Sequence, residues 1–82
     1  MPTIPVAYSS GLVKERIASW AIGLDFNPEE QLFLQFETKF GAKEVTVVDA
    51  RPEGDALIIA VVTDRWAIPR EFALFKSGSL AW

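Results

Sequence analysis

Residues 56–62 read ALIIAVV, seven consecutive apolar side chains within a chain of 82 residues. Successive side chains of a β-strand point to opposite faces of its sheet, so a strand with one face in water alternates apolar and polar residues. This segment does not alternate, and both of its sides are apolar. The fold must therefore cover each side, or leave one side as a surface for another molecule.

The chain before this strand has the 3.6-residue apolar period of α-helices. A first helix is predicted over residues 10–22, with an apolar stripe formed by Val13, Ile17, Trp20, Ala21 and Leu24. A second helix is predicted over residues 28–40, with an apolar face formed by Leu32, Phe33, Phe36 and Phe40. Asn27 is a candidate N-cap, Pro28 suits the first helical position, and Gly41 suits the C-terminal stop.

The apolar period changes from 3.6 to two after the second helix, which indicates strands. The residues PEGD, 52–55, have the composition of a turn and join two of these strands into an antiparallel hairpin. Pro69 interrupts the last strand and suits a sheet edge or a bulge. The predicted strands are residues 44–51, 56–63 and 65–76, with residues 3–8 as an additional edge strand.

These elements predict one α+β domain over residues 1–82. We expect a helical hairpin packed on one face of a three-stranded antiparallel sheet, or a four-stranded one with residues 3–8, in the order (β)-α-α-β-β-β. Two helices can cover only one face of this sheet. Either the N-terminal segment and residues 80–82 fold over the second face, or that face stays open for binding.

Composition argues against several classes of function. The chain has no histidine and no cysteine, and it therefore lacks the commonest general base, a thiolate nucleophile and the usual zinc ligands. We predict no catalytic residue, no cofactor and no metal site. The net charge of −3 argues against nucleic acid and anionic membranes as partners. No apolar run reaches the ~20 residues of a membrane span, and we expect a cytoplasmic protein.

The function predicted from these observations is non-enzymatic binding of a protein partner through the apolar sheet face. An adaptor, an assembly factor or an inhibitor fits this description, with a phage or mobile genetic element as the expected source. Tryptophan and arginine beside apolar residues are the usual energetic centres of such interfaces. The candidate binding residues are Ile58, Val62, Arg65, Trp66, Arg70, Phe75 and Trp82.

Two alternatives remain open at this stage. The order of one strand, two helices and three strands resembles that of RelE-like mRNA-cleaving toxins, and the resemblance implies an RNA-directed enzyme. Its contacting residues would be Arg51, Arg65, Arg70 and Tyr8. The second alternative is a self-assembling structural subunit, in which a homo-oligomer covers the second sheet face.

Overall fold

The structure is a computed structural model that describes residues 6–81. Two helices lie between a short first strand and four further strands, so the α+β class is confirmed. In chain order, the elements are β1 (Val6–Tyr8), α1 (Gly11–Trp20), α2 (Pro28–Phe40), β2 (Val45–Glu53), β3 (Ala56–Thr63), β4 (Trp66–Phe75) and β5 (Leu80–Ala81).

Side-chain and glycine caps fix the helix ends. The Ser10 hydroxyl accepts a hydrogen bond from the backbone N–H of Val13 at the start of α1, and the Asn27 side chain accepts one from Glu29 at the start of α2. Both contacts satisfy N–H groups that have no partner inside a helix. Gly41 ends α2 with a φ of 69°, a conformation that favours glycine. The predicted bounds of α2 are therefore confirmed.

The first helix is shorter than predicted because the chain turns over residues 21–24. Residue Ala21 closes α1, and its carbonyl then accepts a hydrogen bond from the N–H of Leu24 at 3.0 Å. Gly23 lies inside this turn with a φ of 86°. The glycine thus serves the turn between the two helices.

All five strands form one mixed sheet in the order β1-β2-β3-β4-β5, which corrects the expectation of three or four antiparallel strands. The three long strands form the predicted antiparallel meander. Strand β1 pairs parallel to β2 because two helices carry the chain back to the same end of the sheet before β2 begins. Of the predicted strand 3–8, residues 3–5 lie outside the described residues.

Strand β5 is the one described strand that the sequence pattern did not predict. It pairs with Ala73 and Leu74 of β4, after a tight turn in which Phe75 donates its N–H to the carbonyl of Ser79. The side chains of Gln31 and Gln35 in α2 both donate to the carbonyl of Gly78, at 3.1 and 2.7 Å. These two bonds attach the turn to α2.

A single hydrophobic core lies between the helices and one face of the sheet. It contains buried residues of both helices, of β2 to β5 and of the segment between α2 and β2: Val13, Ile17, Trp20, Leu32, Phe36, Ala42, Val45, Val47, Ala50, Leu57, Ile59, Val61, Phe72, Leu74 and Leu80. The backbone of α1 lies near β1 and β2 and that of α2 near β1, whereas the backbones of the two helices make little contact with each other. The predicted helical hairpin is corrected accordingly, because each helix buries its stripe against strands.

Candidate functional site

The side of the sheet opposite the helices is called the open face here. Its residues follow from the register of the strands, because neighbours across a ladder point to the same side. They are Ala7 of β1, Thr46, Asp49, Arg51 and Glu53 of β2, Ala56, Ile58, Ala60 and Val62 of β3, Glu71, Ala73 and Phe75 of β4, and Ala81 of β5. None of them belongs to the core cluster formed with the helices.

The open face has a charged part and an apolar part. Strand β2 contributes its polar and charged residues, whereas β3, β4 and β5 contribute apolar ones with the single exception of Glu71. Ile58 and Val62 are half-buried, and Phe75 is 37% exposed. The apolar centre of the sheet thus remains accessible on this side among the described residues.

One ion pair crosses the central strand. Arg51 lies on β2 and Glu71 on β4, yet Nη1 of Arg51 and Oε2 of Glu71 are 3.2 Å apart. The two strands are separated by β3, or about 10 Å, so both side chains must reach across it. Ala60 of β3 pairs with Glu71 and leaves room for this bridge, because its side chain is one methyl group.

The guanidinium of Arg51 also lies 3.8 Å from Glu53, so one cation serves two carboxylates. The side chains of Arg51 and Glu71 are 50% and 61% exposed. An ion pair at this exposure contributes about 0–1 kcal/mol to stability. The Arg51–Glu71 ion pair can therefore open at a small cost in free energy. The two carboxylates and the one guanidinium together carry a net negative charge.

A shallow pit of about 260 Å³ lies beside this bridge on the apolar part of the open face. It is lined by Ile58, Glu71, Phe72, Ala73 and Ala81. The two alanines face each other across the β4–β5 ladder, and their small side chains make the depression. Among residues 6–81, Glu71 is the one charged residue that lines the pit.

The predicted binding residues divide between the two sides of the sheet. Ile58, Val62 and Phe75 share the open face. Trp66 and Arg70 lie on the helix side, where Arg70 pairs with buried Val61 and its guanidinium stacks on the Trp66 ring at 4.7 Å. Two further candidates join neither group: Arg65 lies in the β3–β4 turn, and Trp82 lies outside the described residues.

Trp66 has a structural role that the sequence pattern did not indicate. Its ring packs edge-on against Phe36 and Phe40 of α2, with centroid distances of 6.0 and 5.2 Å. It also contacts the Phe72 ring at 6.0 Å in a tilted arrangement. Its Nε1 donates to the carbonyl of Val61 at 2.8 Å. The indole thus closes the end of the core between α2 and β4.

A second depression lies between α1 and the end of β2. It has a volume of about 420 Å³ and is lined by Leu12, Glu15, Arg16, Ser19, Trp20 and Pro52. Leu12 is 56% exposed, and the Nε1 of Trp20 is buried with no hydrogen-bond partner in the structure. Arg16 at its rim contacts Asp49 at 3.5 Å and donates to the carbonyl of Ala50.

The four residues considered for RNA chemistry do not converge. Tyr8 on β1 and Arg70 on β4 are three strands apart, or about 14 Å, and Arg51 lies on the face opposite to Arg70. Burial and the neighbouring carboxylate of Glu29 raise the pKa of Tyr8 far above its ordinary value. The raised pKa disfavours the phenolate at neutral pH, which is the form that a general base requires.

Among residues 6–81, no group of acidic residues has the arrangement of a metal site, and no helix is long and apolar enough to cross a membrane. Comparison with known proteins gives no matching family model, no matching curated protein and no matching solved structure. The geometry of the open face is therefore the basis for a functional proposal.

The sequence pattern missed the residues that make the pit. Ala73 and Ala81 carry no chemical signal of their own, and they become neighbours only through the pairing of β4 with β5. A lone charge such as Glu71 on a strand gives no sign of its partner, because charges are common on exposed sheet edges. Its alternation with Ala73 and Phe75 was the one available signal that it shares a face with them.

Proposed function

We propose that this chain is a non-enzymatic protein-binding domain that docks on a partner protein through its open face. The observation that supports this most strongly is the apolar part of that face, which the helices leave uncovered while burying the other side of the same strands. An adaptor, an assembly factor or an inhibitor would use such a surface. The cytoplasm is the proposed location, because a chain without cysteine forms no disulfide and does not need an oxidising compartment to fold.

The sheet edges favour docking on the face over addition of a strand. Strand β1 pairs only with the first residues of β2, so among the described residues the later part of β2 has no neighbouring strand on that side, and this part contains Pro52. Strand β5 pairs only with the end of β4, so among residues 6–81 the first half of β4 has no neighbouring strand on the side away from β3. This half contains Pro69. Proline cannot donate to a neighbouring strand, and it protects edges from pairing.

The size of the face indicates the class of complex. Three long strands about 4.8 Å apart and about eight residues long give roughly 400 Å² per partner. Stable complexes bury about 800 Å² per partner, so the proposed interface belongs to the weak or transient class unless the partner extends beyond the sheet.

The test is affinity capture from a lysate of the source cells with wild-type chain and matched variants. Ile58→Glu places a charge at the centre of the open face, and Ile22→Glu makes the same change at a position that is 79% exposed in the turn after α1. We expect one partner protein to be retained by wild type and Ile22→Glu and lost by Ile58→Glu, because an unpaired carboxylate in a desolvated interface is strongly unfavourable.

Circular dichroism must first show that both variants fold. The complex with the captured protein is then reconstituted, and hydrogen exchange should show protection in residues 58–62 and 73–81. Leu12→Glu tests the depression between α1 and β2. Loss of the partner with Leu12→Glu but not with Ile58→Glu would contradict the proposal and assign binding to that depression.

A further inference from the structure

We propose that the partner presents one large apolar side chain with a lysine or arginine beside it, the apolar side chain filling the pit and the cation binding Glu71. This inference rests on the proposed function, and it specifies the chemistry of the docked segment. Among the described residues, the pit combines an apolar floor with one carboxylate at its rim.

The dimensions of the pit suit an apolar anchor. A volume of about 260 Å³ accommodates a leucine, phenylalanine or tryptophan side chain. The floor is made by Ile58, Ala73 and Ala81, none of which offers a side-chain hydrogen bond. A polar anchor would lose its hydration there without compensation, whereas an apolar one gains by leaving water. Buried anchors of this kind dominate the energy of most interfaces.

The charge beside the pit favours a cation. Arg51 divides its guanidinium between Glu53 and Glu71, so the network of three side chains carries one uncompensated negative charge. A lysine or arginine from the partner would bind Glu71 while Arg51 keeps its contact with Glu53. An acidic partner would face the same two carboxylates, and the single cation of the network, Arg51, is already bound to them. Like charges across an interface are strongly disfavoured.

The same network argues against a second copy of this chain as the occupant. Stacking two open faces would place two negatively charged networks in one interface. It would also bury only roughly 800 Å² in total, which is the size of a crystal-packing contact. A partner of opposite charge avoids the electrostatic difficulty, and a partner larger than this chain can enlarge the interface by extending beyond the sheet.

The test is a selection from a library of random twelve-residue peptides displayed on phage, with the wild-type chain as bait. We expect enriched peptides to share one large apolar residue flanked by lysine or arginine. Synthetic copies should lose at least about tenfold in affinity when the anchor becomes alanine, as hot-spot residues do. Replacing the cation by glutamine should lose about two- to fivefold, the contribution of an exposed ion pair.

Glu71→Lys is the diagnostic bait, and Glu37→Lys, which makes the same change on the exposed side of α2, is its control. Selection on Glu71→Lys should favour aspartate or glutamate beside the anchor, whereas selection on Glu37→Lys should reproduce the wild-type preference. Peptides without a preference for cations, an unchanged preference on Glu71→Lys, or no enrichment over the starting library would each overturn the inference.

Failure of the inference and failure of the proposed function give different results. Peptides that need Ile58 but show no charge preference contradict the inference alone. Peptides that bind Ile58→Glu as well as wild type contradict both, because they bind elsewhere. If Ile58→Glu fails to fold, Ala73→Arg is used in its place in both comparisons. Ala73 is a half-buried residue of the pit floor, and an arginine side chain at this position fills the pit.

Discussion

Asp64 connects the β3–β4 turn to the chain that enters β2. Its Oδ1 accepts hydrogen bonds from the backbone N–H groups of Lys43 and Glu44, at 2.8 and 3.1 Å. These two bonds stabilise the carboxylate and hold the pKa of Asp64 below its ordinary value. A single side chain thus links two loops that are 21 residues apart in the sequence.

Asp64 should make the stability of the domain depend on pH. Because its pKa is lower in the folded state, its contribution is fully present above the ordinary pKa of about 4 and is lost as the pH falls through the lower folded value. Urea unfolding of wild type and Asp64→Asn from pH 7 to pH 2 measures this. We expect the variant to be less stable at pH 7 and the two curves to converge in acid.

Asp55→Asn is the matched control, because it removes a carboxylate from the exposed tip of another hairpin. It should change the free energy of unfolding at pH 7 less than Asp64→Asn does. If wild type and Asp64→Asn instead lose stability in parallel down to pH 2, the two backbone hydrogen bonds do not act through the charge of Asp64.

At the scale of elements, prolines occupy the two unprotected edges of the sheet. Pro69 lies in the part of β4 that β5 does not reach, next to Ile68, which is 80% exposed. An exposed apolar edge strand is a site for association between chains, and a proline that cannot donate a hydrogen bond weakens such pairing.

Pro69→Val should therefore increase self-association, because it restores a backbone N–H and raises the strand propensity of this edge. Light scattering coupled to gel filtration, over a series of protein concentrations, measures the effect. Ala67→Val is the control, since it adds a β-branched residue to the same strand without restoring an N–H. An equal increase in mass for both variants would show that apolar surface, and not the missing donor, controls association.

Elements with their own local signals were predictable, and those formed by distant pairing were not. The second helix could be bounded from Asn27, Pro28 and Gly41, because caps act within one turn of chain. Strand β1 lies within the predicted edge strand 3–8, but its parallel pairing with β2 has no local signal, and the two residues of β5 are too few for a period to be recognised. Their pairing depends on helices and turns that bring them to the sheet, as the bonds to Gly78 show for β5.

The candidate site was likewise predictable only where the signal lies within one strand. Alternation along 56–62 places Ile58 and Val62 on one face, and the structure agrees. The partner of Arg51 could not be inferred, because the Arg51–Glu71 contact crosses an intervening strand and depends on a register that includes a shift in the β2–β3 ladder. Side chains two strands apart leave no periodic trace in the sequence.

The charge of the whole molecule predicts how it behaves in salt. The chain carries a net charge of −3, and the open face carries an uncompensated carboxylate beside its apolar part. Copies of the chain should therefore repel one another, while a basic partner should be attracted. Salt screens both effects, since the Debye length falls from about 30 Å at 0.01 M to about 8 Å at 0.15 M.

We accordingly expect the two kinds of association to respond to salt in opposite directions. Sedimentation equilibrium at low salt should give the monomer mass of 9.1 kDa, and any dimer should increase as salt is added. Affinity for the basic peptides should fall over the same range. In Glu71→Lys, the uncompensated carboxylate is replaced by a cation and the net charge is closer to zero, so its self-association should exceed that of wild type at low salt. A wild-type dimer that is strongest at low salt would mean that opposite charges join two copies, which would contradict this expectation.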